Sequence, residues 1–259
     1  MHTVTFIGLG LNDDRGLTIE GLEKAKRCSR VFAEFYTNLM PRLNLQRLES
    51  MVGKKIQILN RAQLEDENGR ELVRAAQEGS VALLVPGDPM IATTHISLRL
   101  TLSKIGIKSR IIHAASIVSA ISGATGLQSY KFGKAVTIPF DVPLPGSVLD
   151  TVSDNSGRGL HTLLLLDVNA SQGRQLTIAE ASAKITKTSP DLENRLAIGA
   201  ARLGALDERV TARRMGKLVS EDFGDPPHSI VVVGSLHFME REALKVLCGA
   251  RDEDLREFS

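Results

Sequence analysis

Five consecutive apolar residues, Val81-Ala82-Leu83-Leu84-Val85, end at Pro86. A strand with no polar face must be covered on both sides, as in the centre of a parallel sheet flanked by helices. The neighbouring segments fit that plan. Val4 to Ile7 is a second buried run, ending in Gly8-Leu9-Gly10, and Val31 to Phe35, Lys55 to Leu59 and Lys108 to His113 are further strand candidates. Helical patterns lie between them. Ile19, Leu22 and Ala25 share a helix face behind Thr18 as N-cap, with Glu20 in the first turn. Glu65 to Glu78 has a Leu72, Val73, Ala76 stripe and stops at Gly79, and Ala92 to Lys104 stops before Gly106. Strands alternating with helices of this length predict βαβ units, hence an α/β fold.

The second half has a different texture. Ala135 to Pro139, His161 to Val168, Arg195 to Leu203 and Ser229 to Gly234 read as strands, and Ser147 to Ser153 and Thr177 to Lys187 as helices. Asp141-Val142-Pro143-Leu144-Pro145-Gly146 is a proline-rich loop. A chain of 259 residues suits two modest domains, and the change of texture near Ala114 divides it into 1–113 and 114–259.

Composition excludes several classes. Thirty-two basic against 30 acidic residues leave a net charge of +2, no footprint for nucleic acid or an anionic membrane. Aromatics make up 4% with no tryptophan, which leaves little for base stacking. No apolar run approaches a membrane span, and the N-terminus has no signal-peptide pattern. Two cysteines far apart, Cys28 and Cys248, fit a reduced compartment, so the expectation is a soluble, cytoplasmic protein.

The residues that could carry chemistry stand at strand ends. Gly8-Leu9-Gly10 follows a strand, but a dinucleotide fingerprint needs a third glycine at 13, where this chain has Asp13, and a helix that starts at once. The motif reads either as that fingerprint, with Glu34 as ribose ligand, or as a tight turn. Pro86-Gly87-Asp88-Pro89 is a stiff strand-to-helix turn in which Asp88 would be the N-cap of a helix beginning at Pro89. It is also placed where open α/β sheets bind ligands, at the carboxyl end of a central strand. His113-Ala114-Ala115-Ser116-Ile117 ends another strand with small residues, and Ser116 could cap the next helix or hold a ligand. Asp225-Pro226-Pro227-His228 introduces the last strand as a rigid entry or a plain turn. The six histidines form no metal-ligand spacing with each other or with cysteine, so no metal is expected. No P-loop and no nucleophile elbow occurs.

Taken in order, Phe6-Ile7-Gly8-Leu9-Gly10, Leu17-Thr18, Pro86-Gly87-Asp88-Pro89 and Ser116-Ile117 resemble the tetrapyrrole-methylase superfamily of class III methyltransferases. Ala33-Glu34-Phe35-Tyr36-Thr37, Ala92-Thr93-Thr94-His95, Tyr130-Lys131-Phe132-Gly133-Lys134 and Gly159-Leu160-His161-Thr162-Leu163 narrow the resemblance to the diphthine synthases. Glu221-Asp222-Phe223-Gly224-Asp225-Pro226-Pro227-His228 is the most specific of these motifs.

The resemblance implies two α/β domains, the first with a mostly parallel sheet and the second with a mixed one, an active-site cleft between them, and commonly a homodimer. It implies S-adenosylmethionine as methyl donor, in contact with Leu11, Asp88, Ile91, Ser116, Ile117, Leu166, Leu203 and His228. The implied reaction is N-methylation of the 3-amino-3-carboxypropyl-histidine side chain of translation elongation factor 2, a step of diphthamide biosynthesis. No residue is singled out as catalytic, because a sulfonium donor needs positioning and a neutral amine more than a nucleophile. Two departures stand out: Ala115 where the family has proline, and a loop from Asp141 to Leu149 without the family's tryptophan and tyrosines. The competing readings are a tetrapyrrole C-methyltransferase, a nicotinamide-dependent oxidoreductase and a non-enzymatic ligand-binding protein.

Overall fold

The computed structural model describes residues 2–140, 143–169 and 172–255. The chain divides into two compact units, the first ending at Ile117 and including Gln172, the second spanning Val118–Asn169 and resuming at Gly173. Asp141 and Val142, which open the proline-rich loop, lie outside the described residues.

The first unit is built from β1 (Thr3–Gly8), α1 (Ile19–Arg27), β2 (Arg30–Ala33), α2 (Leu45–Val52), β3 (Ile56–Ile58), α3 (Arg61–Leu64), α4 (Arg70–Glu78), β4 (Val81–Val85), α5 (His95–Lys104) and β5 (Lys108–Ile112). Its sheet has the order β3-β2-β4-β1-β5, and every pairing is parallel. The apolar run of β4 is fully buried because its two faces serve two cores. Val81, Leu83 and Val85 pack with Leu72, Ala75 and Ala76 of α4 and Leu98 and Leu102 of α5. Ala82 and Leu84 pack with Ala25 of α1 and Leu48 and Val52 of α2. The side-chain period of two thus divides an unbroken apolar run between opposite faces.

Three local readings change. The helix expected over Glu65 to Glu78 begins only at Arg70, as α4, after Asn68 and Gly69 turn left-handed (φ 53° and 63°), and a separate short helix, α3, with a capping box closed by Asn60 and Gln63, precedes it. Helix α2 has too short a stripe, two buried residues in eight, to stand out in the sequence. Helix α5 begins at His95, and the preceding turn contains Ala92 in the left-handed region (φ 54°). Asp88 is therefore not a helix N-cap. Thr18 is one, accepting from Gly21 N at 3.0 Å.

In chain order, the remaining elements are α6 (Ile117–Thr125), β6 (Val136–Ile138), α7 (Gly146–Gly157), β7 (Thr162–Leu166), β8 (Val168–Asn169), β9 (Arg174–Gln175), α8 (Ile178–Thr188), β10 (Leu196–Ala201), β11 (Arg209–Arg214), α9 (Met215–Leu218), β12 (His228–Val232) and α10 (Phe238–Cys248). The second sheet is mixed, in the order β11-β10-β12-β7-β6, with only β6 and β7 parallel. Helix α7 runs a turn beyond the expected Ser147 to Ser153. Asn155 in that extra turn is buried and donates to Lys134 O and Thr162 Oγ1, both at 2.9 Å. The strand expected over His161 to Val168 breaks at Asp167, whose side chain accepts from Phe140 N and Val168 N, and β8 leaves to pair with β9. Strand β11 escaped the sequence reading because, with the sequence RVTARR at a sheet edge, it lacks an apolar run.

A buried ionic network anchors the amino end of β7. Glu240 on α10 accepts from Lys131 Nζ at 2.5 Å, His161 Nε2 at 3.0 Å, Gln128 N at 2.9 Å and His237 N at 2.8 Å. His161 Nδ1 accepts from Gly234 N, so its proton sits on Nε2 and the ring is neutral. Burial lowers the His161 pKa. Burial would raise Glu240, but the four hydrogen bonds overcome it and hold the carboxyl at about 2. Two of the motifs read from the sequence, around Lys131 and His161, are thereby explained as structural.

Both cysteines are buried and unpaired. Among the described residues, no helix is long and apolar enough to cross a membrane, and no group of three or more His, Cys, Asp or Glu could hold a metal ion.

Candidate functional site

Strands β4, β1 and β5 are neighbours, so their carboxyl ends lie side by side. The loops that follow them are pressed together backbone on backbone. Leu9 N donates to Val85 O at 2.8 Å, and Gly10 and Gly87 exchange hydrogen bonds at 3.2 and 2.8 Å. Both glycines are left-handed (φ 78° and 65°). A Cβ on Gly8 would lie 2.6 Å from both Gly87 O and Ala114 Cβ, so only glycine fits there. The result is a strand-end surface made largely of backbone, with half-buried Leu11 just beyond Gly10.

The nicotinamide reading fails here. Asp13 caps a short 3-10 turn at Asp14–Gly16, and α1 starts only at Ile19, too late to meet a pyrophosphate. Glu34 is fully buried and accepts from Tyr36 N at 2.9 Å, Thr37 N at 3.1 Å and Thr37 Oγ1 at 2.5 Å, so it is not presented to a ribose.

Asp88 ties two of the loops together. Its Oδ1 accepts from Met90 N at 3.0 Å, and its Oδ2 accepts from Ala114 N at 3.3 Å and lies 2.7 Å from His113 Nδ1. The Pro86 to Ile91 loop is held from below by His95, whose Nδ1 contacts Pro89 O at 3.0 Å, and by Thr93 Oγ1 on the same carbonyl at 2.9 Å. His95 Nε2 faces Glu34 at 3.9 Å, and burial raises the Glu34 pKa. Ile91 is exposed, Ser116 is buried in the position before α6, and Ile117 opens that helix half-buried. Leu11, Asp88, Ile91, Ser116 and Ile117 therefore all lie on loops or helix starts following β1, β4 and β5.

Leu166, Leu203 and His228 gather at one end of the second sheet. His228 opens β12 opposite Ala201, the last residue of β10, while Ser229 pairs with Leu165 next to Leu166. Gln175 links the ends by accepting from His228 N at 2.8 Å and donating to Leu166 O at 3.2 Å. His228 Nδ1 accepts from Ile178 N at 3.3 Å, which puts the ring proton on Nε2. That buried Nε2 has no partner among the described residues. Burial first, and the Arg202 charge second, push the His228 pKa down to about 4. A buried N–H without an acceptor is costly, and a ligand that supplies one recovers the cost.

Arg202, also left-handed (φ 51°), fastens the loop that delivers His228. Its backbone N donates to Pro227 O at 2.9 Å, and its guanidinium reaches Phe223 O at 2.6 Å, Asp225 O, and Asp207 Oδ2 at 2.9 Å. The sequence contains no local signal for Arg202, nor for the pairing of His113 with Asp88, because each joins segments distant along the chain.

Comparison with known proteins sets this geometry in context. The family model described as Tetrapyrrole (Corrin/Porphyrin) Methylases matches residues 3–219. The chain is 40% identical over 252 residues to a diphthine synthase of Methanothermobacter thermautotrophicus, covering 94% of this chain and 95% of the relative. It is 41% identical over 256 residues to a diphthine synthase of Halobacterium salinarum, covering 95% and 98%. A crystal structure of a diphthine synthase superposes with a TM-score of 0.91 at 37% identity, over 98% of this chain and 99% of the other.

Proposed function

Because the chain belongs to the tetrapyrrole methylase family and, within it, to the diphthine synthases, it is a methyltransferase, and we propose that it transfers methyl groups from S-adenosylmethionine to the amine of a 3-amino-3-carboxypropyl-histidine on elongation factor 2. The observation that supports this most is likeness over nearly the full length, which favours a protein acceptor over a free tetrapyrrole.

The residues fit such a donor. Leu11, Asp88, Ile91, Ser116 and Ile117 of the first unit, and Leu166, Leu203 and His228 of the second, are the proposed donor-binding residues. When bound, the donor supplies a methyl group made electrophilic by its sulfonium. The chain contributes the closely packed strand-end backbone of Gly8, Gly10 and Gly87, a buried His228 N–H awaiting an acceptor, and apolar contact from Leu166 and Leu203. Binding and orientation of this kind account for much of the rate of a displacement. A homodimer, a cytoplasmic location and donor binding without a metal belong to the same proposal.

The deciding experiment incubates the protein with labelled donor and elongation factor 2 that bears the unmethylated precursor, followed by mass measurement. Mass gains in steps of one methyl group support the proposal. Methylation of a free porphyrinoid with none on the elongation factor overturns it.

A further inference from the structure

We propose that His113 accepts the proton released by the acceptor amine, with Asp88 holding its ring in the competent tautomer; this rests on the amine-methylation reading above. The Asp88 side chain is 8% exposed and lies 2.7 Å from His113 Nδ1, whereas the His113 side chain is 70% exposed. A carboxylate at Nδ1 fixes the ring proton there and leaves the Nε2 lone pair free on the open side. The ring stands just past β5, beside the loops around Gly8 and Gly87, where Ala114 crowds the Gly8 backbone.

The chemistry requires such a group. An aliphatic amine is mostly protonated at neutral pH and then has no lone pair for attack. The ammonium nitrogen gives its proton to His113 Nε2. The freed pair forms the new N–C bond to the methyl carbon, the C–S bond breaks, and its electrons stay on sulfur as a thioether. The imidazolium, stabilised by Asp88, returns its proton to solvent. Each further methyl on the same nitrogen needs another deprotonation, so a recyclable base suits the reaction better than a proton lost once.

The buried histidines are held elsewhere. His95 Nδ1 is bound to Pro89 O in the core, His161 has both nitrogens bound, and His228 uses Nδ1 as acceptor and keeps its proton on Nε2. His237 caps α10 through Nδ1, on a separate element. Among the described residues Asp88, from the loop after β4, is the charged group in contact with His113, and the charged groups of and against β5 lie further toward its amino end. Arg110 pairs with Glu20 of α1, Arg99 of α5 binds Ser109, and Lys108 begins the strand.

His113→Asn tests the role, because its amide N–H can keep the bond to Asp88 while offering no basic lone pair. Donor affinity by calorimetry should stay within about twofold of the parent protein, whereas methyl transfer to the precursor elongation factor at neutral pH should fall by about a hundredfold. The deficit should shrink as pH rises toward the amine's own ionisation, and added imidazole should restore part of the rate. A His113→Asn protein that transfers methyl at the parent rate across neutral and alkaline pH overturns the proposal. So does a loss of donor affinity in proportion to rate, which would make the pair a structural clasp. If the parent protein leaves the elongation factor unmodified, the functional reading itself fails, a result distinct from either of these.

Discussion

Asp88 Oδ2 and His113 Nδ1 lie 2.7 Å apart and join the ends of β4 and β5, two strands that are not neighbours but flank β1 on either side. This carboxylate ties the loops after β4 and β5, and the backbone contact of Gly10 with Gly87 adds the end of β1.

Asp88→Ala removes the acceptor of Met90 N, Ala114 N and His113 at once. Loss of those bonds should cost about 1–3 kcal/mol of stability and about tenfold in donor affinity. Asp88→Asn can still accept from Met90 N, but it sets an amide N–H against His113 Nδ1 and drives that proton to Nε2. Calorimetry and single-turnover kinetics should therefore show near-normal donor binding with slow transfer. Affinity lost equally in both variants would mean that the donor requires the charge.

His228→Asn keeps an acceptor for Ile178 N and deletes the unpartnered Nε2–H. Thermal stability without donor should change by less than about 1 kcal/mol, while donor affinity falls about tenfold. Equal donor affinity in the two proteins would remove His228 Nε2 from the site.

The low pKa of His228 fixes a pH dependence. The ring is neutral in the fold down to about 4, against an ordinary 6.5, so its contribution to stability is complete above 6.5 and is lost as pH falls from 6.5 through 4. Nitrogen chemical shifts should show a neutral ring protonated on Nε2 at pH values where exposed histidines titrate.

Glu240 has the same sign at lower pH. Its carboxyl sits at about 2 against an ordinary 4.5, so the stability it contributes is present above 4.5 and disappears as pH falls toward 2. Glu240→Gln leaves Lys131 poorly compensated and should destabilise the protein by roughly 3 kcal/mol in denaturant melts. Donor affinity should not change, because this network lies at the opposite end of β7 from Leu166.

Donor binding should survive a chelator. No metal-ligand spacing exists in the sequence, and no suitable cluster forms among the described residues. Abolition of binding by chelation, measured calorimetrically, would require a metal in the donor site.

The alternation of β-strands and helices in the first unit was legible in the sequence, because it follows from local pattern. An unbroken apolar run such as Val81 to Val85 is a strand buried on two faces, and Thr18 marks a helix start by its own capping preference. The loops at 8–10, 86–89 and 113–117 were legible as strand ends for the same reason. What the pattern could not contain is partnership at long range. Asp88 reads as an N-cap until His113 and Ala114 approach it from 25 and 26 residues away, and α5 then begins later because the turn around Ala92 is set by His95 and Thr93 gripping Pro89. Likewise Arg202 and the orphan Nε2 of His228 acquire meaning only when β10, β12 and Gln175 meet. Propensity and periodicity act within a few residues, so the sequence by itself determined the elements and where their ends would lie. Hydrogen bonds that close across the sheet pay loop entropy only once it has formed, so the tertiary structure alone decided which side chains face one another and which are left free to act.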